Sequence, residues 1–304
     1  EAPERGAPPA TQSHEFYAIG SGITLVLLVL GLIASFFHLG RPERAWRSAT
    51  KWRTSWLSRE VIVLPAMMGA VVVYGLVHWL GWDLSMVGIK TQVPGDLTLI
   101  IGAGGSLLAF ALFLCTGMIY ACIKFLQEWA SWLTVVNYTL FGGASGFMLA
   151  TAYSAYASPE LVNFYAGWTA IITAAVLVTR VASLIRNARI KPKSTIQTAI
   201  GVRHANVQQK SQGFLGGSFN TREFFHRAPR WVFRSVKWVF LVLVFPIPLL
   251  LLWAGVSLHG VGLATGAATL VAAFVIQYLG LMAERWFFFA QANHPQNLYY
   301  QTVS

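Results

Sequence analysis

The chain has 304 residues, of which 56% are hydrophobic and 11% charged, with a net charge of +11 and a mean hydropathy of +0.57. A soluble domain carries roughly 25% charged residues, so this composition excludes a soluble globular enzyme and a disordered chain. The apolar residues run in long unbroken stretches without period-two alternation, which excludes a transmembrane β-barrel and leaves an all-α, polytopic transmembrane helical bundle.

A spanning helix needs about 20 mostly apolar residues. Seven such stretches follow one another at 16–38, 60–81, 97–120, 131–155, 161–185, 232–257 and 262–290, so residues 1–304 read as one integral membrane domain. The chain starts at Glu1 without Met or a signal-type segment, so either processing or a missing upstream piece is expected. Gly142, Gly143 and Gly146 are expected to let helices approach closely. Pro246 and Pro248 fall inside the sixth span, where neighbouring helices can re-satisfy the backbone. The tail of the last span, Trp286–Phe289, is expected to emerge along the interface. Cys115 and Cys122 share one apolar run and read as packing residues. An iron–sulfur cluster takes about four Cys ligands, so this chain cannot hold one alone.

Seven spans place the connectors alternately on two sides. One side, with 1–15, 82–96, 156–160 and 258–261, carries two basic residues, Arg5 and Lys90. The other, with 39–59, 121–130, 186–231 and the tail after 290, carries with its adjoining helix ends the remaining 20 of 22. The positive-inside rule makes that side cytoplasmic. The net positive charge is therefore ascribed to cytoplasmic loops facing membrane lipid, and no nucleic acid is expected as a partner. Trp56, Trp79, Trp82, Trp129, Trp132, Trp231 and Trp238 lie near span ends and read as an aromatic belt. The 186–231 connector is long, basic and holds GFLGGSFNTREFFH at 213–226, so it is expected to be a docking surface for a partner, with Asn220, Arg222 and Phe224 as candidate contacts.

Ionisable groups at membrane depth are costly and tend to be functional. His38 closes the first span in FFHLGRPERAW, and Glu60 opens the second in SWLSRE. Consecutive antiparallel helices pack side by side, so both are expected at the cytoplasmic boundary, with Gly40 and Pro42 turning the chain between them. An imidazole and a carboxyl at an apolar boundary suit a quinone headgroup, which needs a hydrogen-bond donor and a route for two protons. Arg41 and Trp56, on the intervening connector, are candidates to line the mouth. The competing structural reading is that Glu60 pairs with Arg59 or Arg41 and that His38 caps its helix. Glu284 and Arg285 read as a structural ion pair, and Arg180 as a snorkelling residue. His78 and His259 lie at outer span ends, too far out for paired haem ligands, so no haem is expected. No catalytic or metal-ligating motif is present.

LIASFFHLGRPERAW followed by SWLSRE resembles the membrane-anchor subunit of the dimethyl sulfoxide reductase family, in which an HLG-x-P motif ends a helix and a Glu follows 22 residues after the His, as Glu60 follows His38 here. KWRTSWLSRE at 51–60, GFLGGSFNTREFFH at 213–226 and ERWFFFAQANHPQNLYY at 284–300 are similar to the branch of that family serving the cytoplasmic sulfite-oxidising molybdoenzyme complexes of proteobacteria. The resemblance implies quinone binding (ubiquinone or menaquinone) at His38 and Glu60. It also implies an iron–sulfur electron-transfer subunit and a molybdopterin catalytic subunit as partners, with their cofactors on those chains, at a bacterial inner membrane. It implies eight helices, one of them ahead of the HLG helix, where this chain has Pro- and Ala-rich sequence. The basic side holds the HLG end, so the partner subunits are expected on the cytoplasmic side. The expected function is a quinone-reducing anchor fed by sulfite oxidation. The alternatives are a quinol-oxidising anchor of a sulfoxide-type reductase, a passive anchor and, from another class, a small-solute transporter, for which the sequence shows no internal repeat.

Overall fold

The computed structural model describes residues 14–37, 39–82, 96–191, 195–208 and 230–294. With no water in a bilayer core to satisfy backbone N–H and C=O groups, long apolar segments must close their own hydrogen bonds, and among the described residues the chain is helical with no strand. The helices are α1 (His14–Phe36), α2 (Trp56–Leu80), α3 (Asp96–Ala121), α4 (Trp132–Ala157), α5 (Val162–Ala188), the short α6 (Ile196–Ile200), α7 (Arg230–Val244), α8 (Pro246–His259) and α9 (Leu263–Gln291). A 3-10 helix over Pro42–Lys51 fills the first connector. Among the described residues, seven segments are long and apolar enough to cross a membrane, with α7 and α8 together making the sixth. That sixth span breaks at Phe245, where the backbone turns to φ −111° and ψ −79° and Pro246 starts a new helix, because proline supplies no N–H to the preceding turn.

The chain divides into two compact units, 1–116 and 117–304. In the first, α1 and the 3-10 helix pack against α2. Ser55 starts α2 by accepting a hydrogen bond from Ser58 N–H at 3.4 Å, and Gly81 stops it at φ +64°, a left-handed conformation that favours glycine.

In the second unit α4, α5, α8 and α9 bury Met148, Ala152, Val162, Ala166, Leu252, Leu270 and Ala273, while Phe141, Val176, Val244 and Phe245 form an adjoining layer. Of the glycines expected to let helices approach closely, Gly143 and Gly146 do not mark unusually tight contacts. A Cβ at Gly143 would make only ordinary contact with Ile172, and one at Gly146 would meet nothing within 4 Å. Tight points include Gly280, where a Cβ would lie 2.8 Å from the Leu243 carbonyl carbon, Gly266, where it would run into the His259 backbone, Gly255, where it would lie 2.8 Å from the Leu270 side chain, and Gly117, where it would lie 2.9 Å from the Val135 Cα. The tail of the last span also departs from expectation. Phe287 and Phe288 are buried: Phe287 stacks on Phe233 and packs against Phe240, and Phe288 stacks on Trp129.

Trp129 is not a belt residue, since it is buried with its indole Nε1 donating to the Phe288 carbonyl at 3.0 Å. Trp79, Trp82, Trp132, Trp231 and Trp238 are exposed as a belt requires. Cys115 is buried as expected, whereas Cys122 is exposed just past the end of α3.

Candidate functional site

Because Ser55 caps α2, the helix opens at Trp56, and Glu60 lies about 6 Å along it at 1.5 Å per residue. Trp56 is thus the first residue of α2 and not part of the connector. Its ring lies 4.2 Å under the Arg59 guanidinium. Arg59 donates from Nε to the Trp52 carbonyl at 3.0 Å and from Nη2 to the Arg53 carbonyl at 2.9 Å. It therefore satisfies the last carbonyls of the connector and ties that segment to the first turn of α2.

Arg59 makes no ion pair with Glu60, and among the described residues no Lys or Arg comes within ion-pair distance of that carboxyl. Glu60 is half-buried, and its Oε1 accepts a hydrogen bond from the Thr116 hydroxyl of α3 at 2.5 Å. The same hydroxyl is 3.0 Å from the Leu112 carbonyl one turn back on α3. The other Glu60 oxygen has no partner among the described residues. A carboxyl held by one neutral hydroxyl, with no cation to fix its charge, can gain and lose a proton. Arg41 is exposed at the start of the 3-10 helix and makes no capping bond. His38 lies outside the described residues, between Phe37 and Leu39, and so do Asn220, Arg222 and Phe224.

Thr116 does not stand out in the sequence. Its signal is faint: one threonine in the apolar run LFLCTGMIYA. The other end of α2 carries a second polar cluster. His78 is buried there, stacked on Tyr17 at 4.6 Å, edge-on to Tyr74 at 4.6 Å and 5.7 Å from His14, and neither of its ring nitrogens has a hydrogen-bond partner among the described residues.

In the second unit Arg180 does not snorkel. It is 2% exposed, and its Nη2 is 2.7 Å from Glu284 Oε1, while Arg285 binds Glu284 Oε2 from Nε at 2.7 Å and Nη2 at 2.6 Å. Arg285 also lies 4.1 Å over the Tyr138 ring and 4.9 Å from the Phe288 ring. Arg180 on α5 thus pairs with a buried acid on α9, as ionisable residues inside a membrane bundle do. Nearby, the loop between α3 and α4 is clamped onto helix ends. Arg186 Nη2 donates to the Gln127 carbonyl at 2.9 Å and faces the Ala130 carbonyl at 3.3 Å, and Asn187 bonds Gln291 at 3.3 Å. Burial holds the carboxyl of Glu128 in this loop above the usual range and the imidazole of His294 below it.

The described helices cover most of the region that matches the DMSO reductase anchor subunit (DmsC) family, residues 10–289. The chain belongs to that family. It is 55% identical over 294 residues to a sulfite dehydrogenase subunit of Allochromatium vinosum, a match covering 96% of this chain and 88% of that protein. No solved structure matches it. Membership makes the chain a multi-pass membrane anchor subunit that works with catalytic and electron-transfer subunits of an oxidoreductase complex.

Proposed function

We propose that this anchor subunit binds quinone beside Glu60 and passes it the electrons that partner subunits take from sulfite. The observation that carries the reading is the Glu60 carboxyl, near the connector end of a membrane helix, held by the Thr116 hydroxyl and by no cation among the described residues. The name of the Allochromatium vinosum relative supports sulfite as the electron source and quinone reduction over quinol oxidation. A molybdopterin subunit supplies sulfite oxidation, in which sulfite and water give sulfate, two protons and two electrons, and an iron–sulfur subunit relays the electrons. Quinone takes up those two electrons and two protons to become quinol.

The division of labour on this chain follows from its side chains. Glu60 delivers a proton to one quinone oxygen. His38, at the HLG end of the first span, donates a hydrogen bond or proton to the other, since imidazole titrates near neutrality. Arg41 and Trp56 line the mouth, and the 186–231 connector, with Asn220, Arg222 and Phe224, docks the partner subunits. The excess of Lys and Arg on the connector side supports a cytoplasmic placement of the site at the bacterial inner membrane. Protons released by sulfite oxidation and consumed by quinone reduction then stay on one side, and the complex feeds the quinone pool without moving charge across the membrane.

The test is sulfite-dependent quinone reduction by membranes carrying the assembled complex with His38→Ala or Glu60→Gln. Loss of roughly 100-fold in rate, the usual size of a general acid–base contribution, supports the reading. A wild-type rate in Glu60→Gln contradicts the placement beside Glu60, and wild-type rates in both variants contradict the whole site.

A further inference from the structure

We propose that Thr116 is a positioning residue that partners the Glu60 carboxyl in both of its protonation states, by moving its single hydroxyl proton between Glu60 and the Leu112 carbonyl. The inference rests on the quinone reading of Glu60. Thr116 Oγ1 faces two acceptors, Glu60 Oε1 at 2.5 Å and the Leu112 carbonyl oxygen at 3.0 Å. A hydroxyl has one proton to donate and lone pairs with which to accept, so it cannot serve both acceptors fully at once.

The two arrangements correspond to two charge states. When Glu60 is ionised, the hydroxyl donates to Oε1. When Glu60 carries a proton, the carboxyl donates to Thr116 Oγ1, and the hydroxyl turns back to the Leu112 carbonyl four residues earlier, a bond that threonine makes readily within a helix. Neither state leaves an unpaired polar atom at this contact, which would be costly where lipid excludes water. An arginine or lysine in the place of Thr116 would hold the acid ionised. Arg59, the nearest cation in sequence, is instead committed to the Trp52 and Arg53 carbonyls. Thr116 thus lets Glu60 hand over and recover a proton without moving, and keeps its second oxygen directed to the incoming group.

The experiment uses the purified complex of all three subunits, with sulfite as donor and decylubiquinone as acceptor, and compares Thr116→Val, Thr116→Ser, Glu60→Gln and the Thr116→Val/Glu60→Gln double variant. Loss of a hydrogen bond to a charged group predicts about a tenfold fall in kcat for Thr116→Val, with KM within about twofold. Thr116→Ser, which keeps the hydroxyl, stays within about twofold of wild type. The double variant is no slower than Glu60→Gln alone, because Thr116 acts only through Glu60. If Thr116→Val does not assemble, Thr116→Ala removes the hydroxyl without added bulk and is read in the same way. Impaired Glu60→Gln with unimpaired Thr116→Val, Thr116→Ser as slow as Thr116→Val, or multiplying losses in the double variant would each overturn the positioning role while sparing the quinone reading. A normal Glu60→Gln enzyme would overturn the positioning role together with the placement of the quinone beside Glu60 on which it rests.

Discussion

Arg180 and Glu284 meet at 2.7 Å with their side chains 2% and 0% exposed, so α5 and α9 are joined by an ion pair sealed inside the bundle. Glu284 also holds Arg285, and it is the single acid between two cations. Removing it strands both arginines. Breaking a buried pair by deleting one partner costs about 3–5 kcal/mol, so Glu284→Ala is expected to lower the thermal midpoint of the detergent-solubilised protein sharply. Glu284→Gln, which keeps hydrogen-bond acceptance, costs less. Equal midpoints for wild type and Glu284→Ala would show that the pair contributes nothing.

Gly280 governs the approach of α9 to α7. Its missing Cβ would fall 2.8 Å from both the Leu243 carbonyl carbon and Val244 Cγ2. Gly280→Val is expected to destabilise by about 1–3 kcal/mol, the usual size of an overpacking penalty. Gly146→Ala, with nothing within 4 Å of the new methyl group, is expected to leave stability unchanged. Thermal unfolding of the two variants side by side checks both.

Trp129 joins the α3–α4 loop to α9 by one hydrogen bond and one parallel stack on Phe288 at 5.2 Å. Trp129→Phe keeps a ring and loses the donor, at about 1 kcal/mol. Trp129→Ala loses the ring as well, at about 3–5 kcal/mol. Protease susceptibility of the loop in folded protein is expected to rise in the same order.

The same loop predicts a pH dependence. Burial, the largest influence on the Glu128 carboxyl, raises its folded pKa. The folded state therefore holds the proton more tightly, and its contribution is present below the ordinary carboxyl range and lost as pH rises through the raised value. Glu128→Gln is expected to be more stable than wild type at about pH 7, with the difference closing near about pH 4. His294 acts in the opposite sense. Its folded pKa is lowered by burial, so the stability it contributes is present above the ordinary imidazole range and lost as pH falls toward the lowered value. Midpoints measured across that range for Glu128→Gln and His294→Gln separate the two.

The spans are legible in the sequence because each is a continuous apolar run that must be helical in lipid. The first, read at 16–38, forms over 14–36, and the 3-10 helix begins at Pro42 as the turn signals require. Azimuth is not legible. Helices that are apolar nearly all round give no stripe to mark the buried face, which is why Arg180 and Phe287 read as surface residues and yet lie inside, while Trp129 lies in the α3–α4 loop, whose fold against α9 no local pattern reveals. Glu60 stands out as an acid at a span boundary, but its partner Thr116 is 56 residues away on another helix, and no spacing rule connects them. The glycines at the tightest contacts, Gly117, Gly255, Gly266 and Gly280, are scattered singly over α3, α8 and α9, whereas the conspicuous Gly142–Gly146 cluster marks no tight contact at Gly143 or Gly146.

The quinone site is tested most directly by photo-crosslinking the assembled complex with an azido-quinone and mapping the labelled peptides. A quinone held beside Glu60 places the label in the segment 52–60 or 112–116, and excess unlabelled quinone abolishes it. Label found only on α5 or α9 and abolished by the same competitor, or no competable label at all, would contradict that placement.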